Sequence, residues 1–208
     1  MRHFSKRLDD KNLYLKMSRS RIKLMLYAKY KNKSGVWKTK FEVISIFLEI
    51  KLAYDDKENV KQLFDEYTKF LVDLDSIFQD YLHLQNYDSE IYSLHEKYGL
   101  PMGRLYIAYF NNQAAGCIAL RQMSDTECEM KRLYVRPKFG GNKIGETLVE
   151  TIISDAKEIG YKFMLLDTLP SLSRAVKLYE NMGFYKIPPY NNSPIDNTIF
   201  MRLDLHTE

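Results

Sequence analysis

The chain has 208 residues, of which 45% are hydrophobic, 13% aromatic and 28% charged, and its net charge is +4. A chain of this length and composition can bury the core of a folded domain, which excludes intrinsic disorder as its main state. No apolar run reaches the length of a membrane span, because Lys23 interrupts the short stretch over residues 22–28. We therefore expect a cytoplasmic protein with no membrane partner.

The cysteines and histidines point away from disulfide and metal chemistry. Cys117 and Cys128 fall in predicted strands, where a buried structural thiol is expected rather than a disulfide or a nucleophile. The four histidines, at positions 3, 83, 95 and 206, have no metal-ligand spacing, so we predict no metal site.

Charge is distributed unevenly along the chain. Residues 1–40 hold 13 of the 31 Lys and Arg residues but only 2 of the 27 Asp and Glu residues. Such a basic arm can bind nucleic acid or an acidic surface, or it can pack on its own acidic domain or solvate a helix. The arm has no recognisable nucleic-acid-binding fold, so we favour the second interpretation and expect no nucleic-acid partner.

The first half of the chain predicts three helices and one strand. Residues 13–30 are predicted to form a helix, and Ser34 and Gly35 are predicted to form a break. Residues 44–52 are predicted to form a first strand, because apolar residues occur there at every second position. Asp55 and Asp56 can cap a helix whose apolar stripe runs from residue 60 to residue 74. Residues 76–84 predict a second short helix, and residues 85–99 a polar, Tyr-rich connection.

The second half predicts a mixed α/β domain. Residues 103–110 and 114–123 form a hairpin around Asn111 and Asn112, and a third antiparallel strand follows at 127–135. A helix over 144–159 ends at Gly160 and leads to a strand at 163–167, which the crossover makes parallel to the preceding one. Ser171 or Ser173 can cap a helix over 175–182, and the last strands lie at 184–187 and 198–205.

The connection after the strand at 127–135 has the character of a phosphate-binding loop. Pro137 ends the strand, Gly140 and Gly141 allow the backbone to approach an anion, and Lys143 adds positive charge where the next helix begins. An ordinary strand-to-helix turn would also contain these glycines. No Gly-Lys-Ser/Thr follows, and the Gly-x-Gly-x-x-Gly dinucleotide motif is absent, so a nucleotide hydrolase is not expected.

These residues resemble the GNAT superfamily of acyl-CoA-dependent N-acetyltransferases, whose loop reads Arg/Gln-x-x-Gly-x-Gly/Ala. Residues 140–145 stand in register with that motif, although Gly140 replaces its Arg or Gln and Lys143 its first glycine. Residues 175–184, Ala-Val-Lys-Leu-Tyr-Glu-Asn-Met-Gly-Phe, resemble the family's Ala-x-x-Leu-Tyr-x-x-x-Gly-Phe. The resemblance covers residues 46–205, so we expect a basic extension over 1–44 and the family domain over 45–208.

The resemblance implies a mixed, mostly antiparallel central sheet with two splayed parallel central strands and helices on both faces. It implies acetyl-CoA as co-substrate, no metal, and a family that includes homodimers. The pantetheine arm would bond the backbone of the strand before the loop, and Ser173 stands near the family's usual Asn. The implied cofactor-binding residues are Leu133, Tyr134, Val135, Gly140, Gly141, Asn142, Lys143, Ile144, Gly145, Glu146 and Ser173.

The implied reaction is direct attack of a primary amine, of a small molecule or a protein, on the thioester. It needs a base for the amine, a donor for the oxyanion and an acid for the thiolate. Glu129 takes the base position of some family members, but it can also be an ion-pair partner of Lys131. A backbone N–H near Leu133 or Tyr134 could hold the oxyanion. Tyr179 matches the general acid, and it can also be a core aromatic residue with a polar tip.

Two further functions compete with an N-acetyltransferase. The degenerate loop, with Gly140 and Lys143, would suit a module that binds acyl-CoA without turnover. The basic arm would suit a nucleic-acid binder. Because both Glu129 and Tyr179 are present, we favour the enzyme. Acidic and aromatic residues of the first helices and the polar loops would suit a cationic amine, namely Asp75, Asp80, Tyr87, Asp88, Tyr92 and Tyr190.

Overall fold

The computed structural model describes residues 3–8, 11–18, 21–31, 34–74, 90, 92–193 and 195–205. The chain divides into two compact units, Met1–Lys51 with Ala108–Ala114 and Leu52–Ile107 with Ala115–Glu208. The predicted helix at residues 76–84 lies outside the described residues. The predicted domain boundary after residue 44 stays a prediction.

A four-stranded antiparallel sheet occupies the N-terminal region. Its strands are consecutive in sequence and in space, and they are β1 (His3–Leu8), β2 (Lys11–Ser18), β3 (Arg21–Lys31) and β4 (Trp37–Ile46). The prediction of a helix over residues 13–30 is therefore wrong. Apolar residues recur there at every second position, at 13, 15 and 17 and again at 22, 24 and 26, which is the period of a strand.

A second sheet contains seven strands in the order β10-β11-β9-β8-β7-β6-β5. Strand β5 (Leu48–Leu52) begins after Phe47, so the single predicted strand over 44–52 is in fact divided between two sheets. The other members, in chain order, are β6 (Arg104–Phe110), β7 (Gln113–Gln122), β8 (Glu127–Val135), β9 (Phe163–Thr168), β10 (Tyr185–Ile187) and β11 (Ile199–Asp204). The predicted hairpin is confirmed, with Asn111 and Asn112 both at positive φ, as a tight hairpin turn requires.

The described helices are α1 (Lys57–Leu74), α2 (Leu94–Tyr98), α3 (Ile144–Ile159) and α4 (Ser173–Asn181). Asp56 caps α1 as predicted, with its carboxylate accepting the N–H of Asn59 at 3.3 Å. Helix α2 lies within residues 85–99, which the sequence predicted as a connection, so the prediction missed this short helix. Among the described residues, none of the helices combines the length and the hydrophobicity that a membrane span needs.

Helix α3 shows the apolar stripe that its sequence period predicts. Ile144, Leu148, Ile152 and Ala156 are buried, and Gly160 ends the helix in the left-handed conformation at φ +102°.

Cys117 and Cys128 are free and buried, as predicted. Burial raises the pKa of each thiol to about 12, so both are inert at neutral pH.

Candidate functional site

The parallel strands β8 and β9 separate part of the way along their length. They pair at Glu127–Phe163, Cys128–Met164 and Glu129–Leu165, and Glu129 is the last residue of β8 that pairs with β9. Strand β9 continues to pair with β11 as far as Thr168, and β8 with β7 as far as Val135. Because peptide groups need partners, the gap leaves a strand edge that a ligand with amide groups can bind.

A cavity of about 720 Å³ lies at this gap. It is bounded by the end of β8, the loop that follows it, the first turns of α3 and α4, and the aromatic side chains of Tyr67 and Phe70 on α1. Nine of the eleven predicted cofactor-binding residues line it, namely Leu133, Tyr134, Val135, Gly140, Gly141, Lys143, Ile144, Gly145 and Ser173. The sequence motifs thus predict one continuous cleft, although their residues are up to 40 positions apart.

The two remaining predicted residues lie beside the cleft rather than in its lining. The amide of Asn142 donates to the carbonyl oxygen of Phe139 at 3.0 Å and so holds the loop together. The carboxylate of Glu146 lies 3.4 Å from the ammonium of Lys143. Their side chains therefore shape the loop, while their backbone N–H groups belong to its turn and to the first turn of α3.

The loop between β8 and α3 is built on positive φ angles. A short 3-10 turn, Pro137–Phe139, leads to Gly141 at φ +81° and Lys143 at φ +57°. No side chain caps the first turn of α3, so its N–H groups are available to an anion. Lys143 stands where the family motif has a glycine, and its backbone is left-handed. This conformation explains the family's preference for glycine, because it costs a residue with a Cβ atom about 1–2 kcal/mol of conformational free energy.

Helix α4 presents a second uncapped N-terminus to the same cleft. Its N-cap is Leu172 and no side chain caps it, so the prediction that Ser171 or Ser173 caps this helix is wrong. Both serines instead line the cleft beside Arg174. Sequence reasoning missed Arg174, and its position in the first turn after Ser173 is the signal that could have identified it as an anion contact.

A smaller cavity of about 90 Å³ adjoins the cleft. The residues that line both cavities mark the place where they meet, and they are Tyr67, Leu133, Asp167, Thr168, Leu172 and Tyr179. Sequence reasoning missed Asp167 and Tyr67. Asp167 is the last residue of the strand predicted over 163–167, and the carboxyl ends of neighbouring parallel strands commonly meet at a site. This position is the signal that could have identified Asp167.

Tyr179 is a buried aromatic residue that lines both cavities. Its ring is 7% exposed and packs against Phe184, with the ring centroids 5.8 Å apart. Burial, together with the nearby Tyr67 and Asp167, raises the pKa of its phenol well above the usual value. Within the described part of the chain, no hydrogen bond holds this hydroxyl. The phenol is thus a protonated group at the junction of the two cavities.

Glu129 is enclosed by partners. Its side chain has no exposed surface, and it accepts hydrogen bonds from Arg121, from Lys131 at 3.4 Å and from the Tyr190 phenol at 2.7 Å. The residues that line the two cavities do not include Glu129. Lys131 lies between the two acids, because its ammonium also reaches Asp167 at 3.3 Å. Glu129 is therefore an ion-pair partner of Lys131, and Asp167 is the carboxylate that faces the cavities.

Of the six residues suggested for a cationic acceptor, only Tyr92 and Tyr190 are described, and neither lines either of the two cavities. Asp75, Asp80, Tyr87 and Asp88 lie outside the described residues. Tyr92 is 91% exposed, and Tyr190 bonds to Glu129. Among the described residues, Ser193 and Thr198 contribute hydroxyl groups to the lining of the smaller cavity.

Comparison with known proteins identifies the family. The sequence model of the acetyltransferase (GNAT) family matches residues 63–184. An uncharacterized N-acetyltransferase of Schizosaccharomyces pombe is 40% identical over 72% of this chain and 89% of its own length. An uncharacterized N-acetyltransferase of Dictyostelium discoideum is 32% identical over 74% of this chain and 96% of its own length.

Solved structures show the same fold. A GNAT family acetyltransferase from Staphylococcus aureus is similar with a TM-score of 0.63, at 21% identity over 76% of this chain and 99% of that one. The PaiA N-acetyltransferase from Thermoplasma acidophilum, in complex with coenzyme A, has a TM-score of 0.59 at 19% identity over 76% and 98% of the two chains. An acetyltransferase from Salmonella typhimurium, with its cofactor acetyl-CoA, has a TM-score of 0.55 at 16% identity over 77% and 95%.

Proposed function

This chain belongs to the acetyltransferase (GNAT) family and is an acyltransferase, and on that premise we propose that it transfers an acetyl group from acetyl-CoA to a primary amine by direct attack. The observation that carries the proposal is the gap between β8 and β9, which opens into a cleft of about 720 Å³ beside two uncapped helix N-termini. The coenzyme-bound relatives from Thermoplasma and Salmonella support this choice of co-substrate.

The cleft suits the two ends of the coenzyme differently. The pantetheine arm carries amides, and it would pair with the backbone of Leu133 to Val135 as an added strand. The diphosphate is an anion, and it would accept N–H groups from the turn at Gly141 to Glu146 at the positive end of α3. Lys143 and Arg174 add positive charge at that end of the cleft. The thioester would then lie at the junction with the smaller cavity.

Three groups would perform the chemistry. A backbone N–H of Leu133 or Tyr134 would hold the oxyanion as the amine attacks the thioester carbon. The phenol of Tyr179 is protonated and makes no hydrogen bond within the described part of the chain, and it would give its proton to the departing thiolate. Glu129 stays our sequence-based proposal for the base, and Asp167 is the second candidate, because it lines both cavities while Glu129 lies behind Lys131.

The acceptor is a primary amine of a small molecule or of a protein. The smaller cavity, which adjoins the proposed thioester position, would receive the amine end. Relatives named as N-acetyltransferases support turnover over a module that only binds acyl-CoA. A homodimer and a cytoplasmic location stay predictions, which sedimentation and localisation of a tagged full-length chain would test.

Two measurements test the proposal. Acetyl-CoA and CoA should each raise the melting temperature, because a ligand that binds only the folded state stabilises it by mass action. Thiol release from acetyl-CoA against a panel of amines should show turnover and identify the acceptor class. No melting shift at millimolar CoA, in protein that is folded, would contradict the proposal.

A pair of glycine variants tests where the coenzyme binds. Gly141 and Gly160 both have positive φ angles, +81° and +102°, and a Cβ atom at either would meet nothing within 4 Å. Gly141→Val and Gly160→Val therefore impose the same kind of backbone strain, but only Gly141 lines the cleft. We expect comparable melting-temperature losses, and a fall in CoA affinity of roughly 10- to 100-fold for Gly141→Val alone, since hydrogen bonds to a charged group are worth about 1.5–3 kcal/mol.

A further inference from the structure

Strand β8 contains a β-bulge immediately before the residues that line the cleft. Cys117 of β7 pairs with Tyr134 and Ala119 pairs with Lys131, so one residue of β7 faces both Arg132 and Leu133 of β8. Arg132 has φ +59°, a left-handed conformation that a residue with a long side chain seldom adopts. A bulge turns the strand beyond it, and strained residues of this kind persist only where their surroundings hold them.

The side chain of Arg132 is held by a buried carboxylate. Its Nε donates to Oε1 of Glu90 at 3.0 Å and its Nη2 to Oε2 at 2.5 Å, and the two side chains are 7% and 2% exposed. The guanidinium also lies over the ring of Phe64, 5.1 Å from its centroid. A planar, bidentate pair on an aromatic surface fixes the direction of the guanidinium as well as its distance.

Glu90 is itself fixed from the other side. The phenol of Tyr98 donates to its Oε1 at 2.6 Å and the ammonium of Lys97 to its Oε2 at 3.0 Å. Burial disfavours the charged carboxylate, but the hydrogen bonds from Arg132 and the charges of Arg132 and Lys97 outweigh it and lower the pKa of Glu90 to about 2. The carboxylate is therefore ionised, and four donors hold it in place.

The bulge determines where the next three residues point. Leu133, Tyr134 and Val135 follow Arg132 directly, line the cleft, and have no pairing with β9. We propose that Glu90 and Arg132 are positioning residues, which clamp the bulge so that the backbone of residues 133–135 is aimed at the acyl-CoA. This inference rests on the proposed function of the cleft. It adds as a determinant of coenzyme binding a buried ion pair that does not line the cleft, although Arg132 lines the smaller cavity.

The chain offers a matched control pair. Asp155 accepts a hydrogen bond from the phenol of Tyr106 at 2.6 Å, and its carboxylate lies 3.2 Å from the guanidinium of Arg104. This group also joins an acid, an arginine and a tyrosine, through a single ion-pair contact, with side-chain exposures of 17% and 15% for the acid and the arginine. None of its residues lines either cavity.

The experiment removes both members of each pair, so that neither the acid nor the arginine of a pair is left buried without the other. Glu90→Gln/Arg132→Gly deletes the clamp, and glycine still allows the positive φ at position 132. Asp155→Asn/Arg104→Gln deletes the control pair. Arg132→Lys keeps the charge but loses the bidentate geometry. For each variant, the dissociation constant of CoA is measured by calorimetry beside the melting temperature, and the KM for acetyl-CoA beside kcat.

We expect the clamp deletion to weaken CoA about 10-fold or more, because small displacements of a binding backbone have effects of this order. Arg132→Lys should fall between the deletion and the parent, and the control deletion should bind CoA within about twofold of the parent at a comparable melting temperature.

CoA affinity within about twofold of the parent in the folded clamp deletion would overturn the inference. Equal loss in the control deletion would overturn it as well, as would failure of both Arg132 variants to fold, since the pair would then serve stability alone. If the parent itself binds no CoA, it is the proposed function that fails instead.

Discussion

The phenol of Tyr190 donates a 2.7 Å hydrogen bond to Glu129, a carboxylate with no exposed surface. Arg121 and Lys131 complete its surroundings. A carboxylate so enclosed is well placed to hold Lys131, and it can receive a proton from the acceptor only through an intervening group. The same lysine reaches Asp167, which faces both cavities.

Glu129→Gln and Asp167→Asn should therefore differ in their pH profiles. A base acts by raising the fraction of free amine, so the variant that lacks the base should recover kcat/KM as the pH approaches the pKa of the amine. Loss of the other carboxylate should lower kcat/KM by a factor that does not change with pH. Tyr190→Phe, which removes one hydrogen bond to Glu129, is the control. Parent-like turnover of both acid variants across the pH range would leave catalysis to positioning alone.

Tyr179→Phe should lower kcat and leave CoA affinity nearly intact. The substitution removes the hydroxyl that we propose as proton donor and keeps the ring that packs on Phe184. Loss of a general acid is typically about 10²- to 10⁴-fold, and the low end is expected here because a thiolate is a good leaving group. Burial raises the pKa of Tyr179, so this group should stay protonated across an ordinary assay range and cause no loss of activity at mildly alkaline pH.

Tyr161→Phe is the control for that experiment. Tyr161 is buried and its phenol donates to the carbonyl oxygen of Met102 at 3.0 Å, but it does not line either cavity. It should lose some stability and keep its kcat. If steady-state and single-turnover rates of Tyr179→Phe match those of the parent, the hydroxyl is not the acid.

Lys143→Gly should stabilise the fold. Lys143 has φ +57°, and relief of that strain, about 1–2 kcal/mol, exceeds the roughly 0.4–1 kcal/mol by which glycine favours the unfolded chain. Urea unfolding should show a gain of up to about 1 kcal/mol. A measured loss of stability would mean that the loop holds Lys143 by contacts of its side chain.

Lys143→Asn separates the charge of this residue from its backbone. Asparagine tolerates the left-handed conformation but carries no charge. We expect CoA to bind this variant more weakly than the parent at low salt, and the difference to shrink as salt screens an ammonium that is 73% exposed. A difference that is independent of salt would point to a direct hydrogen bond instead.

Removal of residues 1–46 should leave a folded protein that binds CoA. Strands β1–β4 form a sheet of their own, and the family model matches residues 63–184. The cut at Phe47 keeps all seven strands of the second sheet. Circular dichroism and a melting-temperature shift with CoA would check this. Insoluble protein would show that the N-terminal sheet is needed for the fold.

Stability should fall in acid partly because of Glu90. Its pKa is about 2 in the folded protein against an ordinary value of 4.5, so the folded state favours the ionised form. The contribution is complete above about pH 5 and is lost as the pH falls through 4.5 toward 2, and the shift corresponds to about 3 kcal/mol. In urea unfolding from pH 6 to pH 3, Glu90→Gln/Arg132→Gly should lose less stability than the parent. Parallel curves would contradict the assignment.

The sequence by itself determined the elements of the second half of the chain and nine of the residues that line the cleft. Periodicity identified β8, α3 and β9, because each buries one continuous apolar face, and burial requires that pattern. The glycines could be recognised because a positive φ angle and close backbone approach restrict the residue type. Tyr179 was singled out because residues 175–184 resemble a family motif. Such local requirements can be recognised in short sequence motifs.

The tertiary structure alone decided which charged residues meet. The apolar alternation at 13–17 and 22–26 already had the period of a strand, and the pairing of Lys11–Ser18 with Arg21–Lys31 makes these segments β2 and β3. Glu90 and Arg132 are 42 positions apart, and nothing local indicates that they pair. Asp167 reached the cavities, and Glu129 did not, because β8 and β9 separate after Glu129. Ion pairs and splayed strands depend on distances between remote segments, and only the folded chain sets those distances.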